Sequence, residues 1–216
     1  MILHRKFILS AAILTAASLV ASHQAEAAFY HFDISTGVLT NDPGNPFSLD
    51  FTLISGGTFS NTVTLSNFVF TGGNATGSAT PTGSASGGFG GTLTLTSGTN
   101  AFNDFYQAFS NGTTDIQFDL NTTTVTGGTP DNFSVSILDN TVAPIFTTDS
   151  TNSTLAQLEI HTNTGVDPIL VSTFQSVAPS PTGVTVTVVP EPASCAGLFG
   201  GLGMLLAVRR RKNRPA

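Results

Sequence analysis

Apolar and polar residues alternate along most of the middle of the chain. In segment 47–53, every second residue from Phe47 to Leu53 is apolar, and the residues between them are polar. The same period of two recurs in segments 92–96, 115–120, 133–137 and 155–161. Because successive side chains of an extended strand point to opposite faces, each segment is predicted to be an antiparallel strand with one buried face.

Clusters of Gly, Pro, Asn and Asp separate these segments, as in 41–46 and 127–131. Such residues favour turns. Seven to ten short strands joined by turns predict an all-β domain of two antiparallel sheets, a β-sandwich of jelly-roll or Greek-key type. The alternation changes phase between Leu65 and Phe68, which predicts a β-bulge at Ser66–Asn67.

Three segments depart from this pattern. Residues 72–91 are rich in Gly, Ser, Thr and Ala and are predicted to form a mobile loop. Aromatic residues recur at helical spacing from Phe102 to Phe109, so a short helical turn is expected over 103–110. Residues 176–188 are interpreted as a linker, which leaves 28–175 as the β-sandwich domain.

Positive charge is confined to the two ends of the chain. No Lys or Arg lies between Ala28 and Val208, whereas eleven Asp and Glu lie between Ala28 and Val188. A domain without cations cannot neutralise phosphate groups, which argues against nucleic acid as a partner and against phosphorylated substrates. The same domain has no cysteine, so its core must hold the fold without disulfides.

The N-terminus has the organisation of a secretory signal. Arg5 and Lys6 precede the uncharged apolar segment 7–21, and Ala25 and Ala27 mark a cleavage site of the A-x-A type. A helix of that length spans about 22 Å, less than the hydrocarbon core of a membrane. We therefore predict a signal helix in a signal peptide over 1–27, removed by signal peptidase after Sec-type export, with a mature chain that begins at Ala28. An uncleaved anchor helix is the alternative.

The C-terminus combines three elements over 189–216. The motif Val189-Pro190-Glu191-Pro192 is followed by an uncharged segment, 193–208, that predicts a short transmembrane helix. A basic cluster then closes the chain, and it is expected to stay on the cytoplasmic side of the membrane: Arg209, Arg210, Arg211, Lys212 and Arg214. An ordinary tail anchor is the alternative, although it would need no Pro-Glu-Pro motif.

This order of motif, short apolar helix and basic cluster resembles the PEP-CTERM sorting signal. The resemblance implies an exported bacterial protein, held briefly at the inner membrane and cleaved near the motif by an exosortase. It further implies delivery to the cell envelope, cell surface or exopolysaccharide matrix of a biofilm. Most of 47–162 also resembles a family of PEP-CTERM proteins without an assigned activity, through segments such as 45–51, 102–109 and 128–139. That second resemblance implies a shared extracellular β fold and no catalytic residues.

Candidate catalytic residues are few. The domain contains only two histidines, and His161 stands two residues from Glu159, so both would lie on one polar strand face. They could form an acid/base pair or a solvated surface pair, and the second interpretation is favoured. His31, near the mature N-terminus, is expected to pack at an edge, and no nucleophile elbow of the G-x-S-x-G type is present.

Ligand-binding residues are equally sparse. Asp131 and Asp139 are weak candidates for Ca²⁺ ligands because they lie in turns, but turn formation explains them as well. The chain has no Trp and only two Tyr, which weakens the case for sugar binding. The expected function is therefore a structural or adhesive one, without a cofactor or enzymatic activity and with exopolysaccharide as a possible partner. A carbohydrate- or Ca²⁺-binding module is the alternative, and a secreted hydrolase comes third.

Overall fold

The computed structural model describes residues 28–57, 60–123, 129–160 and 169–190. Its regular structure there consists of twelve strands and a 3₁₀ turn at Gly37–Leu39. The strands are β1 (Ala28–Ser35), β2 (Ser48–Ile54), β3 (Thr62–Thr71), β4 (Thr80–Thr82), β5 (Ala85–Gly87), β6 (Leu93–Thr96), β7 (Phe102–Ala108), β8 (Asp115–Thr122), β9 (Asp131–Leu138), β10 (Ala156–Ile160), β11 (Ile169–Thr173) and β12 (Thr185–Pro190).

The strands form two antiparallel sheets of six. Sheet A has the order β12-β1-β8-β3-β6-β5, and sheet B has the order β11-β10-β9-β2-β7-β4. The pairs are nested along the chain, since β1 pairs with β8, β2 with β7 and β3 with β6. The prediction of an all-β fold with two antiparallel sheets is confirmed.

Phenylalanine rings join the two sheets. The Phe51 ring of sheet B lies edge-on to the Phe118 ring of sheet A, with centroids 5.2 Å apart, and Phe118 stacks on Phe32 at 4.7 Å. All three side chains are fully buried. Since burying such a side chain contributes about 1.5–3 kcal/mol, the alternating phenylalanines supply much of the stabilisation that disulfides cannot provide here.

The predicted bulge is confirmed. The register between β3 and β8 shifts between Ser66 and Val69, and Asn67 has a φ of 56°. Asparagine tolerates this left-handed conformation better than most residues. The bulge leaves Asn67 exposed and brings the Phe68 ring to 6.1 Å from that of Phe51.

The expectation of a helical turn over 103–110 is wrong, because most of this segment belongs to β7. Its backbone pairs with β2 on one side and β4 on the other, which satisfies the hydrogen-bonding groups that a helix would pair internally. Phe105 points into the core, whereas Phe102 is 51% exposed on the other face. Residues four apart share a face in a strand as well as in a helix, so the spacing of Phe102 and Tyr106 fits both structures.

The prediction of a mobile loop over 72–91 is also wrong in part. Within it, β4 and β5 form short strands around Gly83, whose φ of 67° suits glycine in a turn. Phe89 is only 6% exposed, and its ring meets that of Phe51 edge-on at 6.0 Å. Phe89 is the one aromatic residue in this low-complexity segment, and its burial attaches the segment to the core.

The segment expected to be a linker carries the last strand instead. Val184 and Val186 are buried, and β12 pairs along its whole length with β1, from Tyr30–Pro190 to Ser35–Thr185. Valines at every second position from 184 to 188 form a period-two pattern that covers the end of the core. The predicted signal helix and transmembrane helix lie outside the described residues, and the described part of the chain contains no helix long and apolar enough to cross a membrane.

Candidate functional site

Polar side chains cover the outer face of sheet B. The register places Tyr106 of β7 next to Asp50 of β2, and Asp104 next to Thr52 one step along the same strands. The surrounding positions on this face are hydroxyl and amide side chains, namely Thr80, Thr82, Ser134, Ser136 and Gln157. We call this surface the Asp50 face.

Two carboxyl groups lie in contact at its centre. Asp104 accepts a hydrogen bond from Thr52 Oγ1 at 3.1 Å and also contacts the Asp50 side chain. Burial, the neighbouring Asp104 carboxylate and the hydrogen bond between the two side chains together raise the pKa of Asp50 to about 8, and burial is the largest of these causes. At neutral pH, Asp50 is therefore a neutral carboxylic acid that donates to Asp104. Because the single proton is shared within the pair, what the two carboxyl groups offer a ligand is hydrogen-bond acceptors.

Two aromatic side chains flank this carboxyl pair. Phe102 and Tyr106 lie on the outer side of β7, about 13 Å apart at the rise of a strand. Phe102 is 51% exposed and its cross-strand partner Ile54 is 48% exposed, so they form an apolar patch at one end of the face. The sequence-based prediction missed this site because Asp104, Phe102 and Tyr106 were assigned to a helix. Treating 102–108 as a strand would have placed Asp104 among outward-facing residues.

A second polar cluster lies on the outer face of sheet A. His31 Nδ1 and Asp119 Oδ1 are 2.7 Å apart, and Asn67 Nδ2 donates to Asp119 Oδ2 at 2.6 Å. Burial opposes ionisation of Asp119, but the hydrogen bonds from Asn67 and His31 prevail and lower its pKa below the usual value. His31 is 38% exposed on β1, which lies between β12 and β8, and it forms a surface ion pair with Asp119 when the imidazole is protonated.

This cluster does not have the arrangement of a catalytic triad. Ser66 of β3 is the register partner of Asp119, and β8 lies between β3 and β1. The carboxylate therefore separates the serine from His31, whereas nucleophilic catalysis needs the imidazole between them. A shallow cavity of about 330 Å³ adjoins the cluster, lined by residues 66–68 and 89–92. Its walls are glycine, phenylalanine and small polar side chains, with no ionisable group.

The two weak metal candidates lie apart and are already engaged. Asp131 is 2% exposed, and its carboxylate accepts from Gly56 N–H at 2.7 Å, Asn61 Nδ2 at 2.9 Å and Ser97 Oγ at 2.5 Å. Asp139 follows the opposite end of β9, about 25 Å away along the strand. These bonds tie Asp131 to the ends of β2, β3 and β6, so it joins the two sheets.

Asp139 stabilises a turn. Its Oδ1 accepts from Thr141 Oγ1 at 2.6 Å and from the N–H groups of Thr141 and Ala143 at 2.8 and 3.1 Å. The hydrogen bond from the Thr141 hydroxyl is the main cause that lowers the pKa of Asp139. Among the residues that the structure describes, no three His, Cys, Asp or Glu side chains are grouped as metal ligands would be.

The structure covers part of the predicted sorting elements. Val189 and Pro190 end β12, and Ala28 begins β1 opposite Thr122. Glu159 lies on β10 between Asn132 and Leu170. Several of the predicted residues lie outside the described residues: Ala25, Ala27, His161, Glu191, Pro192, Arg209, Arg210, Arg211, Lys212 and Arg214.

Comparisons with known proteins do not assign a family. No protein-family model matches the chain, and neither a curated protein nor a solved structure matches it.

Proposed function

We propose that this chain is an exported bacterial protein of the cell envelope or exopolysaccharide matrix, sorted by an exosortase and acting in a structural or adhesive role. One observation supports it above all. The twelve strands of the described residues, from Ala28–Ser35 to Thr185–Pro190, all lie between the expected signal cleavage site and Glu191 of the Val-Pro-Glu-Pro motif. Removal of 1–27 and of the chain beyond the motif would therefore leave all twelve strands intact.

The arrangement of strands fits an extracellular binding or structural domain. The nested pairs β1–β8, β2–β7 and β3–β6 are those of a ribbon folded into a jelly roll, and we propose a jelly-roll-like sandwich. β5 differs from that arrangement because it pairs with β6 in sheet A and does not extend sheet B.

Cell fractionation tests the sorting proposal. The protein would be followed with an epitope placed in the exposed turn near Thr141, in cells with and without the exosortase. We expect a shorter form in the envelope or medium of normal cells and a full-length, inner-membrane form without the protease. A single full-length form in both strains would contradict sorting. A cytosolic protein would contradict export as well.

The Asp50 face favours a second candidate function, the binding of a neutral polysaccharide. Aromatic rings at Phe102 and Tyr106 can stack on sugar rings, and the oxygens of the Asp50–Asp104 pair can accept hydrogen bonds from the sugar hydroxyl groups. No Lys or Arg lies between Ala28 and Val208, so the domain cannot pair with the charges of an anionic glycan.

Glycan-array binding by the intact protein tests this second function. Tyr106→Ala and Phe102→Ala should each weaken binding to any neutral glycan at least tenfold. Phe146→Ala is the matched control, because Phe146 is similarly exposed, at 53%, but lies outside the strands. Equal loss in all three variants, or no binding by the unmodified protein, would contradict the assignment.

A further inference from the structure

The two lateral sides of the sandwich differ in how their edge strands are protected. One side ends in β4 and β5, which have three residues each and contain Pro81 and Gly87. Short edges and proline hinder pairing with another strand. The other side ends in β11 and β12, which lie next to each other and have five and six residues. Neither contains a charged residue, and Pro190 stands only at the last position of β12.

β12 also has backbone groups available for pairing. Pro190 has no N–H, so its pair with Tyr30 must be of the type that exchanges no hydrogen bonds. The alternation of an antiparallel ladder then turns the N–H and C=O groups of Val186 and Val188 away from β1. In the described part of the chain, neither residue makes a backbone hydrogen bond outside the β1 pair.

The chemistry of this edge restricts its partner. The partner strand should be extended, uncharged and rich in β-branched residues, and Thr185–Pro190 is itself such a strand. β12 has no charged side chain of its own, so a charged partner segment would gain no ion pair from this strand. Repulsion between two acidic domains is largely screened beyond about 8 Å at physiological salt.

We propose that β12 pairs antiparallel with β12 of a second copy around a two-fold axis, which joins two copies of sheet A into one continuous sheet. A two-fold interface closes on itself and yields a dimer. The C-terminal ends of the two β12 strands then lie at opposite ends of the paired segment. Two copies held by their tails in one membrane would have to reach it from both of these ends, which disfavours the arrangement. Resting on the proposed sorting, we infer that pairing follows cleavage of the tail.

A lysine on β12 tests the pairing without disturbing the fold. Thr187 faces solvent opposite Asp33 of β1, so Thr187→Lys gains an opposite charge across the strand pair and places a cation on the edge. Thr64→Lys is the control, because Thr64 lies on the same outer face but in β3, between Asn121 and Thr94. Thr185→Lys is a second edge variant in case Thr187→Lys lowers the melting temperature.

Sedimentation of the protein released from cells gives the readout. We expect a dimer that strengthens with salt, that persists in Thr64→Lys, and that is lost in the edge variants at unchanged melting temperature. A monomeric unmodified protein, or a dimer that both edge variants retain, would overturn the proposal while leaving sorting intact. Oligomers larger than a dimer that Thr187→Lys abolishes would overturn the two-fold arrangement. Such oligomers need β12 of one copy to pair with β11 of the next, because this contact can repeat from copy to copy whereas a two-fold pair closes as a dimer.

Failure of sorting would be seen separately. If only the full-length chain is recovered, it is measured in detergent, where no membrane fixes the direction of the tails. Loss of its dimer in both edge variants, but not in Thr64→Lys, supports edge pairing even though the sorting proposal has failed. A detergent dimer that all three variants keep overturns edge pairing.

Discussion

Tyr30 and Pro190 are register partners in the β1–β12 pair, so the first and last strands meet at one corner of sheet A. Both predicted export elements attach next to this corner, one before Ala28 and the other at Val189. Because the two attachment points lie close together, a signal peptide and a tail that enter the same membrane can both be joined to the folded domain without separating β1 from β12. The pairing also makes the residues just before the motif part of the fold.

Truncation tests whether 185–190 belongs to the domain. A chain that ends at Pro192 should melt at the same temperature as the released protein. A chain that ends at Val184 loses β12 with the buried Val186 side chain, worth about 2 kcal/mol, and should melt lower by about 5 °C or more. Thermal unfolding followed by circular dichroism measures both, and equal melting temperatures would restore the linker interpretation.

The Asp50 carboxyl predicts a pH dependence of stability. Its folded pKa of about 8 lies above the ordinary value of 3.8, so the unfolded chain releases this proton first. The contribution of Asp50 is therefore fully present below about pH 4 and is lost as the pH rises towards 8. Asp50→Asn keeps a neutral side chain in both states, so its stability relative to the unmodified protein should increase across this window.

Urea unfolding at intervals from pH 4 to pH 8 measures this difference. Asp104→Asn is the companion variant, since it removes the neighbouring carboxylate that helps to raise the pKa of Asp50. It should weaken the pH dependence without abolishing it, because burial remains the larger cause. A constant difference between Asp50→Asn and the unmodified protein at every pH would contradict the account.

Asp131 should matter for stability far more than Asp139. Asp131→Ala removes an acceptor shared by Gly56, Asn61 and Ser97 and leaves buried donors unsatisfied, which should cost about 3 kcal/mol. Asp139→Ala affects an exposed turn and should cost about 1 kcal/mol. Chemical denaturation ranks the two. A thermal shift on addition of Ca²⁺ that either substitution abolishes would revive the metal hypothesis.

The contact between Phe51 and Phe118 should couple the two sheets. Each substitution by alanine should destabilise the protein by about 3–5 kcal/mol, since both rings are fully buried. The double substitution should cost less than the sum by about 0.5–1.5 kcal/mol. Phe146→Ala, at a 53% exposed side chain, should change stability by less than about 0.5 kcal/mol. Additive effects at 51 and 118 would contradict a direct contact.

The strands that the sequence predicts well are those in which apolar and polar residues alternate strictly, because this period of two excludes a helix. Leu49, Phe51 and Leu53 alternate with polar residues in a way that no helix would bury, and all three are fully buried in β2. The bulge at Asn67 followed from a phase change between two such runs. Local alternation cannot specify which strands pair, because pairing joins residues far apart in the chain, such as Ser48 and Leu138.

The candidate site was predictable only where strands were recognised. Asp50 could be placed on an outer face from β2 alone, but its raised pKa depends on Asp104, which is 54 positions away and was assigned to a helix. Phe89 was overlooked because glycine and serine surround it. In each case the outcome depends on a contact between residues far apart in the chain, which the local pattern does not reveal.

The intact mass of the protein released from its native cells shows where both ends of the mature chain lie. We expect a chain that begins at Ala28 and ends at or shortly after Pro190, within the Val-Pro-Glu-Pro motif, so that β1 and β12 are both complete. A released protein that retains the basic cluster at 209–214, or one that is cut inside β12, would contradict it.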